Sequence, residues 1–386
     1  MKDFIREIIM NACNVESLDV GTRTEVSELQ RQYHYIDEDT LFDKSPLLKY
    51  LDLKTGAISG NSKTRRSLGN IYAIYSILYF YSQEFFNKPE DYKEFGGYDY
   101  TKLFVFFRGL YGGERLQNHS LNSRVNGEFK NKIVSETGND LIVINDSKYA
   151  LHIDYLYVEG IDISRIAMRV IEQYIQLLAA KDSKLISDLD ELTKMESVER
   201  KRAKVSELLD EQSEARIFEI ISYSILKSHY KQTKVFFGYS LDDLQEQFLM
   251  LYKTGRTNAN DGGIDFVMRP LGRFFQVTEV TASFDKYLLD IDKVMHFPIT
   301  FVVKTLMDKD TVISQINEYI EQKSGGMRML RNRYREAIEE IITINELREW
   351  LYVLDRQSID ELLRDIDRYY RLELNLPYTE IESDEL

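Results

Sequence analysis

Cysteine is nearly absent: Cys13 is the only one in 386 residues. That excludes an intrachain disulfide and any zinc centre built on several thiolates. Proline occurs five times and glycine nineteen times, which leaves little room for long flexible linkers. No apolar run reaches the length that spans a bilayer. The start, Met1-Lys2-Asp3-Phe4-Ile5-Arg6-Glu7, is charged and amphipathic with no signal-peptide core. A cytoplasmic protein without membrane contact is therefore expected. Positive charge is also short, with a net charge of −14. That argues against a protein that coats nucleic acid indiscriminately, but not against one with confined basic patches. No HExxH, Walker or dinucleotide motif occurs, and His119, His152 and His229 do not cluster in sequence.

What is present suits two globular domains. Hydrophobic residues make up 43% and charged residues 30%, with 26 Tyr and 20 Phe, enough for ordinary cores and too apolar for disorder. Leu68 to Phe86 reads as a helix apolar nearly all round, hence buried. Asp99 to Arg108 reads as a strand or short helix, Leu141 to Ile144 as a strand, and Ile163 to Ala180 as a helix. Lys181 to Gln212 is charged, with Leu185, Leu189, Leu192, Val198, Val205, Leu208 and Leu209 at helical spacing, and reads as a solvated connector. This places a domain boundary near residue 205. Beyond it come helices at 213–229 and 241–251, and strands at 234–239, 264–268, 274–281 and 299–304. A helix at 311–322 follows, then one or two helices within 331–354. The order implies a mixed α/β core with one central sheet.

Asp261-Gly262-Gly263-Ile264-Asp265-Phe266-Val267 is the most telling stretch, followed by Arg273-Phe274-Phe275-Gln276-Val277-Thr278-Glu279-Val280-Thr281. The glycines allow a tight turn that delivers Asp265 to the start of an apolar strand. The next strand carries Glu279 outward. Carboxylates on adjacent strand ends suit a hard divalent cation, which activates water against a phosphodiester. Alternation gives two choices on the second strand, Glu279 with Thr281 or Gln276 with Thr278. Glu279 is preferred because Gln276 brings no charge, although a bulge would let both contribute. On the preceding helix, Glu219 is the candidate helper acid and Glu214 the weaker one.

Taken together, an acid-bearing helix, the Gly-Gly-Ile-Asp turn and the Gln-Val-Thr-Glu-Val-Thr strand, roughly residues 213–305, resemble the catalytic core of the PD-(D/E)xK nuclease superfamily, in particular type II restriction endonucleases. The resemblance implies a metal site at Asp265, Glu279 and Glu219 for Mg²⁺, with Gln276 and Thr281 beside it, cleavage to 5′-phosphates, and a homodimer, stable or formed on DNA. It also implies a lysine two residues after the strand acid. Here threonine stands there in either register, so Lys286, Lys293 or a second metal-bound water must substitute. The rival is a catalytically degenerate DNA-binding module.

Three stretches hold bases and no acids. Residues 57–83 include Lys63, Arg65 and Arg66 before a helix start. Residues 115–127 include Asn118, His119, Asn122, Arg124 and Asn126, and amide and guanidinium groups suit base edges. Residues 323–335 include Arg328 and Arg331, suited to phosphates. The expected architecture is an α-rich recognition domain over 1–205 and a restriction-endonuclease-like α/β nuclease domain over 206–386, acting on double-stranded DNA.

Overall fold

The computed structural model describes residues 38–55, 68–115, 121–255, 264–279, 291–292, 297–374 and 376. The chain forms two compact units, residues 1–183 and 184–386. The class is mixed α/β, as the sequence implies.

The first unit is mostly helical. Its helices are α1 (Glu38–Lys44), α2 (Pro46–Thr55), α3 (Leu68–Glu84), α4 (Pro89–Glu94), α5 (Tyr100–Arg108) and α6 (Ser123–Lys132), and α7 (Ser164–Lys194) starts in it. Strands β1 (Tyr98–Asp99), β2 (Ile142–Asn145) and β3 (Lys148–Leu151) form a small antiparallel sheet in the order β1-β3-β2. β4 (Tyr157–Val158) and β5 (Ile161–Asp162) form a hairpin. Helix α3 is buried along most of its length, as its composition demands. Its tyrosine hydroxyls still need partners. Tyr72 donates to the Tyr111 carbonyl at 2.6 Å, and Tyr81 to the buried Asp162 carboxylate at 2.8 Å.

The second unit holds α8 (Val198–Leu208) and α9 (Ala215–Tyr230), then β6 (Lys234–Phe237), β7 (Gln245–Phe248), β8 (Met250–Lys253), β9 (Phe266–Arg269), β10 (Arg273–Glu279) and β11 (Ile299–Lys304). It continues with α10 (Lys309–Ser324), α11 (Arg328–Glu336), β12 (Ile338–Ile342), α12 (Ile344–Val353) and α13 (Arg356–Leu374). A five-stranded sheet runs β12-β11-β10-β9-β8. β8, β9 and β10 are an antiparallel meander; β10, β11 and β12 are parallel. Side chains alternate between its faces. Phe266, Met268, Phe275 and Val302 join residues of α9, α12 and α13 in one core. Ile299, Phe301 and Val303 join residues of α10 and α11 in the other.

Three sequence expectations are corrected. The boundary falls near 183 and not 205, because Leu189, Leu192, Val205 and Leu209 are buried in the second unit's core. The expected helix at 241–251 is a short 3-10 turn followed by strands β7 and β8. Residues 331–354 contain β12 between two helices, its Ile341 and Ile342 dividing between the two cores. Among the described residues no helix is long and apolar enough to cross a membrane.

Candidate functional site

Glu279 ends β10 and Lys304 ends β11, and the two are ladder partners on parallel strands. Both therefore reach the carboxyl end of the sheet, where open α/β sheets place their ligands. The Lys304 ammonium donates to Glu279 Oε1 at 2.5 Å and to the Ser213 carbonyl, just before α9, at 2.8 Å. The Lys304 side chain is 5% exposed and that of Glu279 35%. A buried ammonium needs such acceptors. The Glu279 side chain as a whole is only partly buried.

Asp265 sits immediately before β9. Its amide donates to the Phe275 carbonyl at 2.9 Å, although the ladder partner of Phe275 is Phe266. One residue thus faces two, the arrangement of a β-bulge. The offset sends Ile264 into one core and Phe266 into the other. It also brings Asp265 Oδ2 to 2.6 Å from the Val277 amide, whose hydrogen it accepts. Glu279 lies two residues further along β10, a strand rise of roughly 7 Å.

Glu219, on α9, forms an ion pair with Lys253 of β8 at 2.7 Å, both side chains 8% exposed. The Lys253 ammonium also lies 5.7–5.9 Å from the rings of Tyr223, Phe266 and Tyr369, a cation–π setting. The expected helper acid is therefore held by a lysine, as Glu279 is by Lys304. Gln276 is buried, and its Oε1 has no hydrogen-bond partner among the described residues; its Nε2 donates to the Val277 carbonyl at 3.2 Å. Thr278 is buried as well. Thr281, Lys286 and Lys293 lie outside the described residues. Among the described residues no three His, Cys, Asp or Glu side chains gather as a cation cage.

Of the residues expected at DNA, Lys63, Arg65, Arg66, Asn118 and His119 lie outside the described residues. Asn122 precedes α6, and Arg124 is exposed on its first turn. Asn126 does not face a ligand. It is buried, and its side-chain amide both donates to the Ile142 carbonyl at 2.8 Å and accepts from the Ile142 amide at 2.9 Å. That assignment is corrected: the side chain acts as a substitute strand along β2. Arg328 is exposed at the start of α11. Arg331 is committed within its own unit, at 2.8 Å from Glu321, which Arg335 shares at 2.7 Å.

Sequence reasoning missed two groups. Lys304 is a lone base closing the otherwise uncharged run Ile299-Thr300-Phe301-Val302-Val303, and that anomaly was the available signal. Lys54 is buried in the first unit, paired with Glu128, which also accepts from Asn70 at 2.9 Å and Tyr50 at 3.2 Å. Burial lowers the Lys54 pKa, against the pull of Glu128. No sequence motif announces this cluster. No protein-family model, curated protein or solved structure matches the chain.

Proposed function

We propose that this protein is a sequence-specific, magnesium-dependent DNA endonuclease of the type II restriction kind, cleaving phosphodiester bonds to leave 5′-phosphates. The observation that carries the reading is the buried Lys304 ammonium against Glu279. It supplies from the neighbouring strand the acid–lysine adjacency that the Glu-Val-Thr motif lacks. An acid-bearing helix, an antiparallel meander and a parallel strand in that order support it further.

The donors fit a hard cation by their chemistry, because Asp265 and Glu279 offer carboxylate oxygen alone. Magnesium keeps several waters and binds through one or two carboxylates plus substrate phosphate, so a protein cage of three acids is not required. Asp265 and Glu279 would hold it, and when bound it supplies positive charge at the phosphate and a more acidic water. The protein's own contributions are separate. The Val277 amide orients Asp265 through Oδ2. Lys304 fixes Glu279 and brings a positive charge to the strand ends, where an attacking water and a phosphate oxygen need orienting. Arg124 and Arg328, both exposed, are the described candidates for base and phosphate contact.

A second reading, a degenerate nuclease-fold module that binds DNA without cutting, is favoured by one observation: Glu219 and Glu279 each already hold a lysine. Incubating the protein with plasmid DNA and Mg²⁺ separates the two. Discrete fragments support the enzyme. Intact DNA that is still bound supports the module, and neither cutting nor binding removes both.

A further inference from the structure

From Glu246 to Lys253 the chain alternates without a break across β7 and β8. Glu246, Phe248, Met250 and Tyr252 are exposed, whereas Leu249 and Leu251 are buried and Gln247 and Lys253 partly so. The β6–β7 register puts Phe236 opposite Glu246 and Lys234 opposite Phe248, so these four share the outward face. The ribbon tip adds Tyr239 and Leu241. Gly238 shapes that tip, since a Cβ there would lie 2.3 Å from the Asp243 carbonyl oxygen. Phe236, Tyr239, Leu241, Phe248, Met250 and Tyr252 are 41–94% exposed. Contiguous apolar surface of this kind marks an interaction site.

We propose that this ribbon face is the surface through which two copies of the chain associate about a two-fold axis. Nucleic acid is a poor occupant, because the ribbon from Lys234 to Tyr252 carries three acids, Asp242, Asp243 and Glu246, against one base, Lys234, which is already paired with Glu246. The area is right for a dimer: these side chains expose roughly 700 Å², against about 800 Å² per partner in a standard interface. The face is also self-complementary, as an isologous contact must be. Lys234 and Glu246 carry opposite charges on the same face, 2.5 Å apart, with the Lys234 ammonium 5.2 Å from the Phe248 ring. A two-fold axis through Phe236 and Phe248 sets the Lys234 of each copy toward the other's Glu246. The inference stands apart from the nuclease reading.

Sedimentation velocity on the full chain tests it. The wild type is expected to sediment as a dimer, and Phe236→Ser/Phe248→Ser to raise the dimer dissociation constant about a hundredfold with an unchanged circular dichroism spectrum. Lys234→Glu leaves the apolar face intact and raises the constant about tenfold; adding Glu246→Lys restores it. This charge pair decides the matter if the serine variant unfolds. A monomeric wild type, or a dimer indifferent to the charge exchange and to the serine variant where it folds, overturns the proposal.

Discussion

Lys304 and Glu279 meet side by side at the ends of two strands that run in the same direction, ammonium to carboxylate at 2.5 Å. In the proposed enzyme this pair joins the group that holds the cation to the group that steers the water. Lys304→Met is expected to lower DNA cleavage by about a hundredfold or more. Binding of DNA in Ca²⁺ should persist. Gel cleavage assays beside filter binding measure both, and full activity in the variant removes Lys304 from the mechanism.

Asp265 is the second support. Its carboxylate accepts from the Val277 amide, so Asp265→Asn keeps the fold while lowering the charge offered to a cation. Cleavage should drop on the order of 10²–10³-fold. Titration calorimetry with Mn²⁺ alone should show weaker binding. Unchanged metal affinity would sink the assignment whatever the activity does.

The Glu219–Lys253 pair is treated as structural. Both groups are almost fully buried, so removing one strands the other in a low-dielectric interior. Lys253→Met should destabilise the second unit by about 3–5 kcal/mol, and Glu219→Gln in addition should recover much of that. Urea denaturation of the single and double variants reads the difference. Equal loss in both would show that the pair is not coupled.

In the first unit, Asn126 and Arg124 should behave oppositely although they stand two residues apart. Asn126→Ala leaves the Ile142 amide and carbonyl without their partners, a cost of about 1–3 kcal/mol, with the cleavage pattern unaltered. Arg124→Ala should leave the melting temperature alone and weaken DNA binding by about 1–3 kcal/mol if it contacts guanine. A changed fragment pattern from Asn126→Ala would return that residue to recognition.

His229 stacks on Trp350, ring centroids 4.0 Å apart at 13°. Burial lowers its pKa below the ordinary 6.5, with Glu340 pulling the other way. The unfolded chain therefore binds more protons just below that value, and stability falls as pH drops through the window from about 6.5 down to the folded pKa. His229→Gln should flatten the slope. Thermal melts between neutral and mildly acid pH test it, and an identical slope in the variant rejects the account.

Much of this architecture was legible from residue pattern. The run Leu68–Glu84 is too apolar to lie anywhere but inside, and the strands around Asp265 and Glu279 are bracketed by turn residues. Two periodicities competed at 241–251. Leu241, Leu244, Phe248 and Leu251 mimic helical spacing, whereas the strand alternation beginning at Glu246 governs the fold. The site was half legible. Asp265 and Glu279 announce themselves by local sequence, but Lys304 comes to Glu279 through a parallel pairing 25 residues away. Asn126 looked like a base reader because its amide suits adenine. The same donor and acceptor geometry suits a peptide bond, and burial settled which it meets.

That last contact also bears on solubility. β2 is an edge strand in the order β1-β3-β2, and unpaired edges invite another chain to add on. By occupying both main-chain groups of Ile142, Asn126 plugs the first rung, so stacking of copies along this border is blocked where it would begin.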